Sequence, residues 1–256
     1  MNTPLISIIT IVYNSEKYIE KTIKSLQEQT SRNFEYIIID GNSTDETLNI
    51  ISKYKNSVDI LISEPDKGLY DAMNKGLHYA RGKYVWFINS GDRIFSSDTV
   101  EKIENLHKQY SSADIFYGQT QLIDARDNVT GMRRKVAPEC LTAKSLTMGL
   151  VVCHQSILVK REIAPLYNLS YKIAADYEWV LASLEASNEI VNTHLILSKF
   201  LENGFSSHNV KHALKDRLLI MLKHYGFFTT FYAHIRITIQ YIKDKTNRST
   251  PSSLSS

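Results

Sequence analysis

One stretch of the sequence decides the fold, and it reads Lys83-Tyr84-Val85-Trp86-Phe87-Ile88-Asn89-Ser90-Gly91-Asp92. Its apolar part, through Ile88, predicts a strand buried on both faces, and the polar turn after it carries one carboxylate. In open α/β sheets, ligands bind just beyond the carboxyl ends of the strands. Asp92 therefore stands where a ligand is expected, and its hard oxygens suit Mg²⁺ or Mn²⁺ on a diphosphate. The alternative is that Asp92 only shapes the turn or caps the next helix.

The residues before this stretch alternate between strand and helix patterns. Each predicted strand precedes a predicted helix, and the pairs are 5–13 with 16–29, 34–40 with 43–54, and 58–63 with 69–81. We expect Asn14 or Ser15 to cap the first helix, and Leu69 and Met73 to lie on the buried face of the third. This alternation predicts a parallel sheet with right-handed crossovers, whose polar turns meet at one edge.

The second half of the sequence is less regular. Helices are predicted at 98–110 and 174–185, and strands at 115–120, at 151–159 and, as one or two strands, within 189–201. The predicted fold class is therefore α/β, with a mostly parallel central sheet flanked by helices and with a C-terminal helical extension.

The net charge of +3 is unevenly distributed. From Phe205 onward, eight Lys or Arg residues face two acids, whereas the preceding part has a net charge of −3. We therefore expect the tail to meet a negatively charged lipid surface. Apolar, aromatic and basic residues alternate through 210–242, which is typical of an interfacial helix, and the alternative is a helix packed on the domain. The serine-rich residues 249–256 are predicted to be disordered.

Several classes of protein receive no support from the sequence. Its two cysteines, Cys140 and Cys153, have no metal-binding spacing and are expected to be reduced thiols of a cytosolic protein. Neither a signal peptide nor an apolar run of membrane-spanning length is predicted. The basic residues form no nucleic-acid-binding motif. A dinucleotide-dependent oxidoreductase would need Gly-x-Gly-x-x-Gly after the first strand, where Tyr13-Asn14-Ser15-Glu16 stands.

Four separated stretches carry a resemblance to a known family, and they are SIITIVYN (7–14), IIDGNSTDET (38–47), EPDKGLYDAMNKG (64–76) and NSGD (89–92). Together they resemble the family 2 inverting glycosyltransferases with the GT-A fold, most closely the short, non-processive branch that builds bacterial surface polysaccharides. The resemblance covers residues 4–207 and is strongest in the first hundred or so. The signature of the processive members, Gln-x-x-Arg-Trp, is absent, which argues against a polymerising synthase.

The resemblance implies a nucleotide-sugar donor, most often a UDP-sugar, held by a divalent cation. Such a cation neutralises the charge that develops on the diphosphate as the bond to the anomeric carbon breaks. Asp92 matches the last acid of the family's metal motif, while Asn89 and Gly91 stand at its earlier acidic positions and are placed in the nucleotide-sugar site. With one carboxylate, the expected metal affinity is weak without donor.

The resemblance also places donor contacts on the first three turns. Asp40 is the first acid of the family's paired motif, and Gly41 stands where uracil is commonly recognised, which leaves the nucleotide open. Asp40 and Asp66 are candidates for base and ribose contacts, the Tyr13 ring for stacking on the base, and Lys67 for phosphate. The alternatives are turn formation for the two aspartates, a core position for Tyr13 and a solvated Lys67.

An acceptor alcohol needs a base opposite the departing diphosphate. Asp176 matches the family's catalytic aspartate at a helix start, and the alternative is a helix cap. Glu178 is about 200° further around a regular helix and should face elsewhere. His154 and Gln155 are expected in the floor of the site without a catalytic role. The loop Gly204-Phe205-Ser206-Ser207 is expected near the diphosphate.

The sequence thus predicts an inverting hexosyltransferase that adds one sugar to a saccharide on a polyprenyl diphosphate lipid. The expected setting is O-antigen, capsule or exopolysaccharide assembly, at the inner face of the cytoplasmic membrane. The alternative is a nucleotide-sugar-binding scaffold without turnover, suggested by the reduced metal motif. The predicted division is a nucleotide-sugar half (1–95), an acceptor half of the same domain (96–208), a basic amphipathic helical extension (209–247) and a tail (248–256).

Overall fold

A computed structural model describes residues 3–202 and 210–248, with side chains given for 3–202, 212–237 and 239. The expected loop at Gly204-Phe205-Ser206-Ser207 and the serine-rich tail lie outside the described residues.

Within the described residues, nine strands form one sheet. Their bounds are β1 Ile6–Val12, β2 Phe34–Asp40, β3 Ile60–Ser63, β4 Tyr84–Phe87, β5 Arg93–Ile94, β6 Ile115–Ile123, β7 Val129–Met132, β8 Ile157–Lys160 and β9 Ile190–Leu201. The strand order is β3-β2-β1-β4-β8-β6-β9-β5, and β7 pairs with the outer part of β6.

The first four strands of this order run parallel, as predicted. Val12 of β1 pairs with Asp40 of β2, which in turn pairs with Ser63 of β3, so the carboxyl ends of these strands are level. Every residue of β1 is buried, because helices cover both faces of the sheet. The polar turns after these strands therefore meet at one edge.

Six helices accompany the sheet in the described ranges, and they are α1 Ile19–Gln27, α2 Thr47–Ser52, α3 Leu69–Tyr79, α4 Thr99–Gln109, α5 Ala175–Ala186 and α6 Val210–Arg248. The predicted cap of α1 is wrong: Tyr18 occupies the cap position without a side-chain bond. The Ser15 carbonyl accepts from the Tyr18 and Ile19 backbone N–H groups instead. Helix α1 therefore begins three residues later than expected.

The buried face of α3 also differs from the prediction. Leu69 is 39% exposed, whereas Tyr70, Met73 and Gly76 are buried against the sheet. A Cβ atom on Gly76 would lie 2.5 Å from Ile9 Cγ2 of β1. The helix can approach the strand this closely because glycine has no side chain.

The second half makes the sheet mixed. Strand β8 runs antiparallel between β4 and β6. The strand expected at 151–159 begins only at Ile157, because His154–Ser156 form a short 3₁₀ turn. Strand β9 is continuous but contains His194 at φ 56°, and the pairing of β6 with β9 changes register between Tyr117 and Gln119.

The core divides into two clusters, one on each face of the sheet, as the alternation of side chains along a strand requires. Ile8 and Trp86 belong to the first cluster, and Ile9 and Phe87 to the second. The second cluster includes α3, α5 and the buried Met221 of α6. The elements that carry the candidate site therefore share one core.

Helix α6 is interrupted at Gly226, whose φ of 74° and ψ of 176° are not helical. Before this break the helix packs on the domain: Ile220 and Met221 are fully buried, and the Asp216 carboxylate accepts from the backbone N–H groups of Lys172 (2.8 Å) and Ile173 (2.9 Å). After the break, large apolar side chains are exposed. No helix in the two described ranges has an apolar run long enough to cross a bilayer.

Candidate active site

The turns after β1, β2 and β3 bring Tyr13, Gly41 and Asp66 together. Tyr13 is 62% exposed, so the alternative of a core position is wrong. A Cβ atom on Gly41 would lie 2.5 Å from Asp66 Oδ2 and 3.4 Å from Tyr13 Cδ2. The missing side chain at Gly41 therefore makes room for the Asp66 carboxylate beside the Tyr13 ring.

Asp40 organises the turn after β2. Its Oδ1 accepts from the Ser43 hydroxyl (2.5 Å), and its Oδ2 accepts from the Ser43 backbone N–H (3.0 Å) and the Ser63 hydroxyl (2.7 Å). The residue is fully buried. A direct contact between Asp40 and a nucleotide would require this buried carboxylate to become accessible, and the contact stays a prediction.

Asp66 has two carboxylate oxygens with different surroundings. Its Oδ1 accepts from the Gly68 backbone N–H at 2.8 Å, while Oδ2 points toward Gly41. The neighbouring Lys67 is exposed, and its backbone N–H donates to the Asp71 carboxylate at 2.9 Å. The Lys67 side chain therefore lies at the surface beside this site, and its phosphate contact stays a prediction.

Asp92 lies in the turn between β4 and β5, and its carboxylate is buried and held at both oxygens. Oδ1 accepts from the Leu201 backbone N–H (3.0 Å), and Oδ2 accepts from Gln155 Nε2 (2.9 Å). Burial raises the pKa of Asp92 to about 7, and the two hydrogen bonds oppose that rise. The helix-cap alternative is wrong, because α4 begins at Thr99 with Asp98 in the cap position.

The same turn offers a second hard oxygen. Asn89 Oδ1 is buried and has no hydrogen-bond partner among the described residues. Gly91 reaches φ 98°, and a Cβ atom there would lie 2.8 Å from Leu201 Cδ2, so the turn depends on glycine. The described residues contain no group of three His, Cys, Asp or Glu side chains that could hold a metal. Asp92 and Asn89 nevertheless fit a hard cation whose remaining ligands are phosphate oxygens and water.

Asp176 lies in the first turn of α5. The cap position belongs to Ala174, which has no side-chain bond, so the alternative of a capping Asp176 is wrong. Its Oδ1 accepts from the Tyr177 backbone N–H at 2.9 Å. Burial raises the pKa of Asp176 to about 6, against lowering by that backbone bond and by the charge of Arg133. A carboxylate with such a pKa is well suited to accept a proton near neutral pH.

Aromatic rings form the floor below Asp176. Tyr167 stacks on Trp179 with 5.4 Å between ring centroids and on Tyr70 with 5.7 Å, and His154 stacks on Phe87 at 5.1 Å. His154 Nε2 is also hydrogen-bonded to the Tyr167 hydroxyl. Burial lowers the pKa of His154 to about 3, so its ring is neutral at physiological pH. His154 therefore lies in the floor, as expected, and Gln155 reaches further, to Asp92.

Glu178 faces away from Asp176, as the helical period predicts. Its Oε1 lies 2.7 Å from Lys223 Nζ of α6, and the carboxylate is buried at that contact. This acid therefore fastens α6 to α5.

Sequence reasoning missed three basic residues, one of which, Arg133, is close enough to Asp176 to lower the pKa of that carboxyl. Arg133 and Lys135 follow β7, and Arg217 comes from α6. The run Arg133-Arg134-Lys135 was a visible signal, but no pattern in the sequence brings it to Arg217. A cavity of about 650 Å³ is at the opposite edge of the sheet, where Arg32, Glu35 and Arg81 lie near the amino ends of the strands. Ligands of such sheets bind at the other edge.

The parallel strands, their covering helices and the mixed second half of the sheet form a fold of the GT-A type. The model of glycosyl transferase family 2 matches residues 7–162, more than half of the chain. The chain therefore belongs to glycosyl transferase family 2.

The relatives of this chain include bacterial glycosyltransferases. The chain is 27% identical over 220 residues to a PGL/p-HBAD biosynthesis glycosyltransferase of Mycobacterium bovis BCG, covering 82% of each chain. It is 32% identical over 214 residues to an uncharacterized glycosyltransferase of Mycobacterium tuberculosis, covering 81% of this chain and 79% of the relative. It is 32% identical over 162 residues to TuaG, a putative teichuronic acid biosynthesis glycosyltransferase of Bacillus subtilis, covering 62% and 63%.

Solved structures share the fold. TarS of S. aureus, solved with UDP-GlcNAc, gives a TM-score of 0.69 at 22% identity, and the match covers 85% of this chain but only 65% of that chain. The mannosyltransferase PcManGT of Pyrobaculum calidifontis, solved with GDP-Man and Mn²⁺, gives a TM-score of 0.60 at 14% identity, covering 92% and 70%. At these identities the likeness concerns the fold alone.

Proposed function

We propose that this protein is an inverting hexosyltransferase that transfers one sugar from a nucleotide-diphosphate sugar to a saccharide on a lipid diphosphate. The observation that carries the proposal is the pair Asp92 and Asp176. Both carboxylates have raised pKa values, and they lie on elements that share one core at the carboxyl side of the sheet. Environments of this kind are typical of catalytic sites.

Asp176 is the proposed general base. It takes the proton of the acceptor alcohol as the oxygen attacks the anomeric carbon, and the bond to the diphosphate breaks on the opposite face. An α-linked donor then gives a β-linked product by single displacement. Burial of the Asp176 carboxylate holds its pKa high, and the interaction with the Tyr70 hydroxyl opposes that rise.

Asp92 and Asn89 would hold Mg²⁺ or Mn²⁺ on the donor diphosphate. The bound cation would supply charge neutralisation at the leaving diphosphate. Gln155 and the Leu201 backbone N–H keep the Asp92 carboxylate in place. Ionisation of Asp92, which burial disfavours, is assisted by these donors.

The donor base is proposed to stack on Tyr13 with Asp66 nearby, and a UDP-sugar is the favoured donor. Asp40 and Lys67 are assigned to the same donor site through the family resemblance, and Gly91 lets the turn that carries Asp92 form. The relatives' names, which refer to PGL/p-HBAD and teichuronic acid biosynthesis, support a role in bacterial glycolipid or polysaccharide assembly, with O-antigen as one such product. The proposed location is the inner face of the cytoplasmic membrane.

The test is turnover of UDP-, GDP- and TDP-sugars by the full chain with Mn²⁺, followed as nucleoside diphosphate release. Asp176→Asn should lower the rate by about 10²- to 10⁴-fold. Because the base must be ionised, the parent rate should fall as pH drops through about 6. Glu185→Gln is the matched control, since Glu185 is on the same helix and pairs with His224 of α6.

Two results would contradict this proposal. Equal rates for Asp176→Asn and Glu185→Gln would remove Asp176 from the chemistry. Nucleotide binding without turnover by the parent would instead favour a nucleotide-sugar-binding scaffold.

A further inference from the structure

Three cationic side chains converge on the short segment 147–150, and one of them, Arg133, acts on the proposed base Asp176. Arg133 and Lys135 follow β7, and Arg217 belongs to the docked part of α6; we call these three residues the basic cluster. Each donates to a backbone carbonyl of one short segment: Arg217 Nη2 to Thr147 (3.3 Å), Lys135 Nζ to Met148 (2.8 Å) and Arg133 Nη2 to Leu150 (2.9 Å).

The convergence of Lys135 and Arg217 depends on Gly149. A Cβ atom on Gly149 would lie 3.2 Å from Arg217 Nη1 and closer still to Lys135 Nζ. Gly149 also has φ 105°, a conformation that side chains rarely adopt. Both the available space and the backbone conformation at this position therefore suit a glycine. The Lys135 and Arg217 side chains lie close to each other beside it.

The basic cluster lacks an anion. Within the part of the chain that the structure describes, no carboxylate forms an ion pair with any of its three members. Arg133 Nη1 and Arg217 Nε are buried without an acceptor. Buried donors are normally satisfied, so these two indicate a missing partner.

The positive charges of the basic cluster repel one another. Desolvation of the ammonium, together with Arg217 and Arg133, lowers the pKa of Lys135 to about 8. Desolvation also lowers the pKa of Arg217. Bringing like charges together in this way is unfavourable, and a bound anion would relieve it.

The position of the basic cluster indicates which anion it meets. Arg133 is close enough to Asp176 for its charge to lower the pKa of that carboxyl. The donor diphosphate already has its own site at Asp92 and Asn89 under the proposed function. Arg217, in contrast, comes from α6, whose part beyond Gly226 exposes apolar side chains where a lipid-linked acceptor would arrive.

We propose that the basic cluster binds the phosphate or diphosphate group through which the acceptor saccharide is joined to its lipid. This assignment rests on the proposed function for the identity of the acceptor, although anion binding itself does not. Arginine guanidinium groups present paired donors that match phosphate oxygens, and Lys135 adds a mobile positive charge. The phosphate would thus be fixed beside Asp176, which positions the acceptor sugar for deprotonation.

The test uses calorimetric titration of the full chain, without nucleotide or divalent metal, by inorganic pyrophosphate and by farnesyl diphosphate. Lys135→Met, which keeps the aliphatic stem, and Arg217→Gln should each weaken binding of both probes by tenfold or more, because a charge-assisted contact is lost. Arg134→Gln removes an exposed charge between two cluster positions and is the matched control, expected to bind like the parent.

A UDP titration with Mn²⁺ distinguishes the two sources of diphosphate. Lys135→Met should leave UDP affinity within twofold of the parent if the basic cluster serves the acceptor. A parallel tenfold loss of UDP affinity would place the donor diphosphate there and overturn the acceptor assignment. Farnesyl diphosphate binding that is equal in Lys135→Met, Arg134→Gln and the parent would overturn the anion site itself.

A failure of the proposed function can be distinguished from a failure of the anion site. It would appear as absence of sugar transfer by the parent, whereas pyrophosphate and farnesyl diphosphate binding would still depend on Lys135. Arg217 also lies over the Tyr177 ring, 5.9 Å from its centroid, so Arg217→Gln carries a risk to folding. Lys135→Met avoids that contact and keeps the test decisive.

Discussion

Gly41 is the residue at which the proposed donor site departs from the family pattern, and its lack of a side chain leaves space for a neighbouring residue. The position that commonly recognises uracil has no side chain here, and the Asp66 carboxylate occupies the room that a side chain would take. Asp66 thus stands beside the exposed Tyr13 ring, although the two residues are far apart in sequence. We infer that Asp66 replaces the missing acid in recognising the nucleotide.

This inference predicts a specific effect of Gly41→Ala. The added Cβ atom would displace the end of the Asp66 side chain, so UDP affinity should fall about tenfold through loss of one charge-assisted hydrogen bond. The free energy of unfolding should change by less than about 0.5 kcal/mol, because the displaced group is a movable side chain near the surface. Calorimetric UDP titration and urea unfolding measure the two quantities.

A double-mutant cycle with Asp66→Ala provides the control. If Gly41→Ala acts through Asp66, the substitution should have little further effect on UDP affinity when Asp66 is already alanine. A tenfold loss in that background as well would show that Gly41 acts without Asp66.

The single residues of the site were predictable to the extent that they end a strand or begin a helix. Asp92 and Asp176 lie in such places, and strand and helix ends can be read from local pattern. Tyr70 could not be identified in this way, and Gln155 was expected in the floor only through the family resemblance. Their contacts, to Ile173 and to Asp92, span 103 and 63 positions in sequence. Periodicity carries no information about such pairs.

At the scale of elements, helical spacing does not identify the buried residues of α6. Leu214, Leu218 and Leu222 follow helical spacing, yet all three are exposed, and Ile220 and Met221 face the domain instead. The apolar residues of α6 lie on most sides of the helix, so its sequence does not determine which side is buried. The buried side is set by contacts with α5 and with the residues just before it: Glu178 pairs with Lys223, and Asp216 accepts from Lys172.

The docking of α6 can be tested with adjacent residues of the same helix. Ile220→Ala should lower the free energy of unfolding by about 2–5 kcal/mol, because it removes a fully buried side chain. Leu219→Ala is the control: Leu219 is 45% exposed, and its loss should cost less than about 0.5 kcal/mol. Urea unfolding of both variants gives the comparison, and equal values would mean that α6 does not pack as described.

Across the whole molecule, the parallel half of the sheet followed from the sequence, whereas the mixed half did not. The first four strands are each completed by a helix close by in the chain, so local order fixes their neighbours. Strand β8 lies between β4 and β6, far from β4 in sequence, and its position depends on long-range pairing. Asp176, the proposed base, lies in this less predictable half.

The charge and apolar distribution of the whole molecule predicts binding to an anionic bilayer. Beyond Gly226, exposed apolar side chains are concentrated on α6: Phe227, Phe228, Phe231, Tyr232, Ile235 and Ile239. Beyond Gly226 the sequence also has four Lys or Arg residues against one acid. Inserted rings and attracted cations act together at an acidic lipid surface.

Phe228→Ser combined with Phe231→Ser should therefore reduce binding to phosphatidylglycerol-containing liposomes by tenfold or more in flotation assays, since two inserted rings are lost. Leu166→Ser is the matched control, because Leu166 is 69% exposed but lies outside α6. Added salt should weaken binding of the parent, because screening reduces the attraction between the basic residues and the lipid head groups. If the double variant bound liposomes as well as the Leu166→Ser control, helix α6 would not insert into the bilayer. The acceptor lipid would then have to reach the basic cluster by another route.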